Sequence, residues 1–206
     1  MKQVAALALT VAASTFLALT PARADKTLDL FRTFCAENNV DTAKALTAAD
    51  KAGWMPIPAS LLAKLNDDLH MTGAQGRITS GSDGIFMLVT TNGNVTMDRI
   101  TGRVCAVAAV AAVTTTPDDF DKQVSDFAGV APSPKSSEGF VIYAWRAGAD
   151  HHVPVPLDAG SVKSAIADGA LQVLMTKREE KILMIMMIVP IAFPEAAPAP
   201  KTENSK

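Results

Sequence analysis

The chain has two cysteines, Cys35 and Cys105, and their placement constrains its fold more than any other feature. Both lie downstream of a segment that reads as an export leader. In an exported protein, two cysteines without metal-type spacing form a structural disulfide. Cys35 falls on the buried side of a predicted first helix, and Cys105 on a predicted core strand. A bond between them would staple a helical layer to a sheet and close a loop of 70 residues. The chain-entropy model gives such a loop about 4 kcal/mol. A redox-active pair needs the proximity of a C-x-x-C motif to tune its thiolate, and that spacing is missing.

The leader occupies residues 1–24. Lys2 supplies a positive start, residues 4–19 are apolar, and Thr20-Pro21 break the run before the small-x-small site Ala22-Arg23-Ala24. Cleavage after Ala24 predicts a periplasmic or secreted protein that begins at Asp25. The apolar run is shorter than the roughly 20 residues that span a bilayer, so no transmembrane segment is expected in the mature chain. Removing 24 of the 206 residues leaves 182, enough for one domain with a substantial core. Without Lys2 and Arg23 the 19 basic residues fall to 17 against 21 acidic ones, a net charge of −4. That balance excludes the basic stripe of a nucleic-acid surface and a polybasic patch for anionic lipid. Residues 194–206 are rich in proline and alanine and read as a disordered tail. The remaining residues, 25–193, form the single expected domain.

Along that domain the period of the apolar residues changes. Leu28, Phe31, Phe34 and Cys35 recur at helical spacing, and Asp41 is placed to cap a second helix that Gly53 ends. Trp54 follows, to pack back over the pair. Residues 55–58 read as a rigid extended connection, and Ser60 precedes a short helix carrying Leu62, Leu65 and Leu69 on one face. These three helices read as one amphipathic layer. Residues 73–84 read as a glycine- and serine-punctuated loop, and residues 85–90 as a strand. Asn92-Gly93 is the strongest hairpin signal in the chain, returning through residues 95–100. Gly102 marks a bulge before a strand that contains Cys105. Thr116-Pro117 starts a helix with Phe120, Val124 and Phe127 on its apolar stripe, ended by Gly129. A strand over 140–146, a helix over 158–169 and a hairpin of 171–176 with 182–189 complete the pattern. The predicted class is α+β, with N-terminal helices and a mid-chain helix packed on an antiparallel sheet.

Chemistry-bearing motifs are sparse. His151-His152 suggests a metal, but neighbours on a strand point to opposite faces, so the pair reads as a polar exposed loop before Val153-Pro154, and His70, the third histidine, belongs to no H-E-x-x-H spacing. The run Met184-Ile-Met-Met-Ile188 would suit Cu(I) through its thioethers, with Met184 and Met186 on one strand face, yet the continuous apolar run from Leu183 to Val189 reads as a buried core strand. Gly81-Ser82-Asp83-Gly84 does not match the serine elbow G-x-S-x-G. No catalytic, metal or cofactor-binding residue and no cofactor is therefore assigned.

Phe31-x-x-Phe34-Cys35, Ala52-Gly53-Trp54 and Val104-Cys105 together resemble a pattern found in small exported proteins of proteobacteria, with F-x-x-x-C, A-G-W and a mid-chain cysteine. The resemblance implies export and the disulfide, and brings no catalytic or binding residue with it. The favoured expectation is a non-enzymatic binding or interaction module of the cell envelope, with another envelope protein as partner and no nucleic acid. A small periplasmic hydrolase, with a site near residues 73–84 and 150–152, and a periplasmic copper-binding protein are the alternatives.

Overall fold

The computed structural model describes residues 26–68, 71–91, 101–110, 116–134, 139–148 and 151–192. The expected leader and tail, Leu69, His70, the expected hairpin at Asn92-Gly93 with its return over 95–100, and Asp150 lie outside them. The helices are α1 (Lys26–Phe31), α2 (Thr42–Lys51), α3 (Ala59–Asp68), α4 (Pro117–Ala128) and α5 (Ala159–Ala167). The strands are β1 (Met55–Pro56), β2 (Ala74–Gly81), β3 (Gly84–Thr91), β4 (Thr101–Val110), β5 (Phe140–Ala147), β6 (His152–Pro154), β7 (Leu171–Glu179) and β8 (Ile182–Ala192). All eight strands join one sheet in the order β1-β2-β3-β4-β8-β7-β5-β6, and every pairing is antiparallel. The expected α+β class is what the chain adopts.

The caps explain where the helices begin and end. The Asp41 side chain accepts from Lys44 N at 2.9 Å to start α2, and Thr116 and Asp158 do the same for α4 and α5. Gly129, at φ 65°, closes α4 in the left-handed conformation that glycine adopts at least cost. α1 continues as a π-helical turn over Arg32–Ala36, which seats Phe34 and Cys35 side by side on the buried face.

Strand alternation divides the core in two. On the first face, Phe86, Leu88, Cys105, Val107, Tyr143, Trp145, Leu174, Ile185 and Met187 pack against α1, the π turn, α2 and α4. Phe34 meets Trp54 edge-on at 4.9 Å, so Trp54 does fold back over the first two helices. Beneath α2, Thr42 Oγ1 and Thr90 Oγ1 are 2.8 Å apart, and the Thr90 hydroxyl donates to the Val104 carbonyl. On the second face, Val89, Val104, Ala106, Val173, Met175, Met186 and Ile188 pack with residues of α3 and α5.

Four readings are corrected by this arrangement. α3 lies on the second face, opposite α1 and α2, so the first three helices are not one layer. Residues 74–81 form a full strand instead of a loop. β2 has a single large apolar residue, Ile78, so it lacks the alternating pattern of a core strand. Met55-Pro56 pairs with β2, and His152-Val153-Pro154 pairs with β5, where connections were expected. Those two short strands are the sheet's edges. Each carries the pattern x-P-x-P, as Met55-Pro-Ile-Pro58 and Val153-Pro-Val-Pro156, and each leads into a second-face helix. Proline offers no N–H to a further strand, so both edges are blunted by one device. At Gly102 the register shifts as a bulge requires. A Cβ there would sit 2.7 Å from the Val189 carbonyl oxygen, so the close approach of β8 demands glycine.

Candidate functional site

The disulfide forms between Cys35 and Cys105, with Cα atoms 5.5 Å apart and both residues fully buried. It ties the π turn to β4, one of the two central strands. Both sulfurs lie in the first-face core, and no free thiol is left in the chain.

The histidines do not meet the serine loop. His152 stacks on Trp145 with ring centroids 5.0 Å apart, and its Nδ1–H donates to the Ala128 carbonyl at 2.6 Å. It therefore fastens an edge strand to the end of α4, while His151 is exposed. Residues 73–84 belong to β2 and its turn, six strand spacings away, or about 29 Å. In that turn Ser82 Oγ donates to Asp83, whose carboxylate pairs with Lys26 at 2.6 Å. Among the described residues no three His, Cys, Asp or Glu side chains gather as a metal site would need. Met184 and Met186 share the second face. Met175 pairs directly with Met186 there, and both are packed into the second-face core.

A polar seam lies under α4. Tyr143 is fully buried, and burial holds its phenol above the ordinary tyrosine range while the Ser125 hydroxyl pulls the other way. Burial likewise raises the Asp121 carboxyl, opposed by the Arg178 guanidinium and reinforced by Asp118. No cavity opens onto this seam among the best-formed ones. The larger cleft, about 380 Å³, lies between β6 and α5. Its one cation, Arg146, is already paired with Asp168 and donates to Ser164 Oγ. The helix N-terminus beside it is capped by Asp158, which accepts from Gly160 N, Ser161 N and Ser161 Oγ. Those three donors hold the Asp158 carboxyl below the usual range.

The distinctive surface is the second face at one end of the sheet. This is the end that carries the β2–β3 and β7–β8 turns. The strand register sets side chains there in rows. The outermost row on this face runs Ser80, Ile85, Val110, Ile182, Glu179, and the next runs Met55, Ile78, Met87, Ala108, Met184, Lys177. None of these eleven residues is buried, although the inner row continues onto β5 at Phe140, which is buried with the Lys177 Nζ 5.3 Å over its ring. One row further in, Gly76, Val89, Ala106, Met186 and Met175 are all buried. On this face α3 packs by β2 and α5 by β7 and β8, and among the described residues the two rows at the turn end are left unburied. The first face is closed at the same end, where Phe86, Ala109 and Leu183 are buried under the helices.

The result is an apolar strip across five strands. Ile85 and Ile182 are each 40% exposed, and Met55 is 63% exposed. Lys177 and Glu179 border it at the β7 side, 3.0 Å from each other. The sequence did not single this surface out. The β3 run Ile85-Phe-Met-Leu-Val89 is apolar at every position, and such a run looks the same whether one face is covered or not. Isolated exposed apolar residues need no explanation, but a contiguous strip marks a surface that another body covers. Methionines suit it, because their flexible thioethers adapt to more than one contour.

No protein-family model, curated protein or solved structure matches the chain.

Proposed function

We propose that this protein is a non-enzymatic interaction module of the cell envelope, exported to the periplasm and working through the open end of its second sheet face. The observation that carries the reading is the contrast between the two faces at that end. The chain encloses Phe86, Tyr143 and Trp145 on one face and leaves Met55, Ile85 and Ile182 exposed on the other, with Ile78, Met87 and Met184 only half-buried. The leader pattern and the buried disulfide support an oxidising compartment. A hydrolase drawn from residues 73–84 and 150–152 has less support, because β2 lies beside one edge of the sheet and His152 is on β6 at the other. A copper protein using His151, His152 and Met184–Ile188 would need side chains from β6 and β8, which two strands separate.

Photo-crosslinking in living cells tests the proposal. A photoreactive side chain replaces Ile85 in one variant and Lys122, an exposed residue of α4, in another. The expected result is a discrete adduct from position 85 and none from position 122. Equal labelling at both positions, or none at either, would sink the reading.

A further inference from the structure

The two exposed rows are complementary to each other, and this points to what covers them. On β7, Lys177 stands in the inner row and Glu179 in the outer row, on the same face. On β8 the matching residues are Met184 and Ile182, and on β3 they are Met87 and Ile85. A two-fold axis between the rows, in the plane of contact and perpendicular to the strands, would place each inner row over the partner's outer row. Lys177 of one copy would then face Glu179 of the other twice over, and methionine would face isoleucine along β3 and β8. An interface that repeats one patch on both subunits must be self-complementary in this way. We infer that the open end of the second face is a homodimer surface, where two copies lap sheet on sheet by their turn ends.

The rest of the fold permits this lap joint. Packed sheets lie about 10 Å apart, which is filled by the side chains of the two facing rows. α3 and α5 stand on the same face beyond the inner row, so they form shoulders against which the partner's hairpin turns would end. Five strands by two rows give about 300 Å² of sheet per copy. That is well below the ~800 Å² per partner of a standard interface, so the dimer is weak and transient. The inference rests on the docking surface proposed above and names its occupant.

The test is sedimentation equilibrium on the full-length chain, purified as the cell processes it and with the Cys35–Cys105 bond formed. A monomer–dimer equilibrium is expected, with the dimer fraction rising as the concentration approaches about 500 µM. Ile182→Lys should abolish it while leaving the melting temperature unchanged, because that side chain is already 40% exposed. Lys177→Glu and Glu179→Lys, taken singly, should each weaken association about tenfold through like-charge contacts. Mixed in equal amounts, the two variants should associate as tightly as the parent, because every facing pair is again of opposite sign. A monomer at all concentrations, or a mixture no tighter than its components, overturns the proposal. If the chain is monomeric and position 85 crosslinks to a different envelope protein, the interaction module stands and the second copy is excluded.

Discussion

Val40 has the least favourable backbone in the described chain. It follows Asn39 at φ 51° and itself lies at φ 55°, in the left-handed region where a β-branched residue is a true outlier. Strain of this kind costs about 1–3 kcal/mol and persists only where the surroundings fix it. Here the side chain is fully buried, and the Val40 N–H donates to the Cys35 carbonyl at 3.0 Å. Asparagine tolerates this conformation at position 39, but nothing local marks Val40. Asp158 is the opposite case, a residue with an ordinary extended backbone whose side chain caps α5. Its carboxyl is depressed below 3.8 by three donors that exist only when α5 is folded. A depressed carboxylate stabilises the fold fully above its unfolded pKa, and the effect is lost as pH falls through the folded value. Asp158→Ala should therefore lower the melting temperature by a few degrees at neutral pH. Thermal melts repeated in increasing acid should show the difference between variant and parent shrinking to nothing.

At the scale of elements, the chain depends on one covalent staple between layers. Cys35 sits on the π turn and Cys105 on β4, which pairs with β3 on one side and β8 on the other. The bond closes 70 residues, spanning α2, β1, α3, β2 and β3. Replacing both cysteines by alanine should cost about 4 kcal/mol, or roughly 8–16 °C in melting temperature for a domain of this size. Calorimetry of oxidised and double-variant protein measures it, and equal melting temperatures would show that the staple is energetically idle. The helix ends were readable because each is set by one or two neighbouring residues, such as Asp41, Thr116-Pro117 and Gly129. The edge strands β1 and β6 were not. Three or fewer residues containing proline carry no alternation of their own, and they become strands only because β2 and β5 offer partners.

For the whole molecule, the decisive property is the unequal coverage of the sheet. Among the described residues, the helices leave two rows of the second face unburied at the turn end. Substituting lysine for Ile85 should change the free energy of unfolding by no more than about 0.5 kcal/mol, since exposed sites away from caps and packing contacts rarely matter more. The same substitution at Leu88, fully buried one position further along the other face, should prevent folding altogether. Chemical denaturation of the first variant and soluble yield of the second make the comparison, and a large loss at Ile85 would mean that the strip is part of the core. The amino-acid sequence by itself determined the α+β class, the capped helices, the bulge at Gly102 and the pairing of the two cysteines. Each of those follows from local backbone chemistry or from there being a single possible partner. Only the tertiary structure decided which face each helix covers, which segments close the sheet's edges, and which apolar residues stay in water. Those outcomes depend on contacts between residues distant in the chain, and a buried isoleucine and an exposed one are written with the same letter.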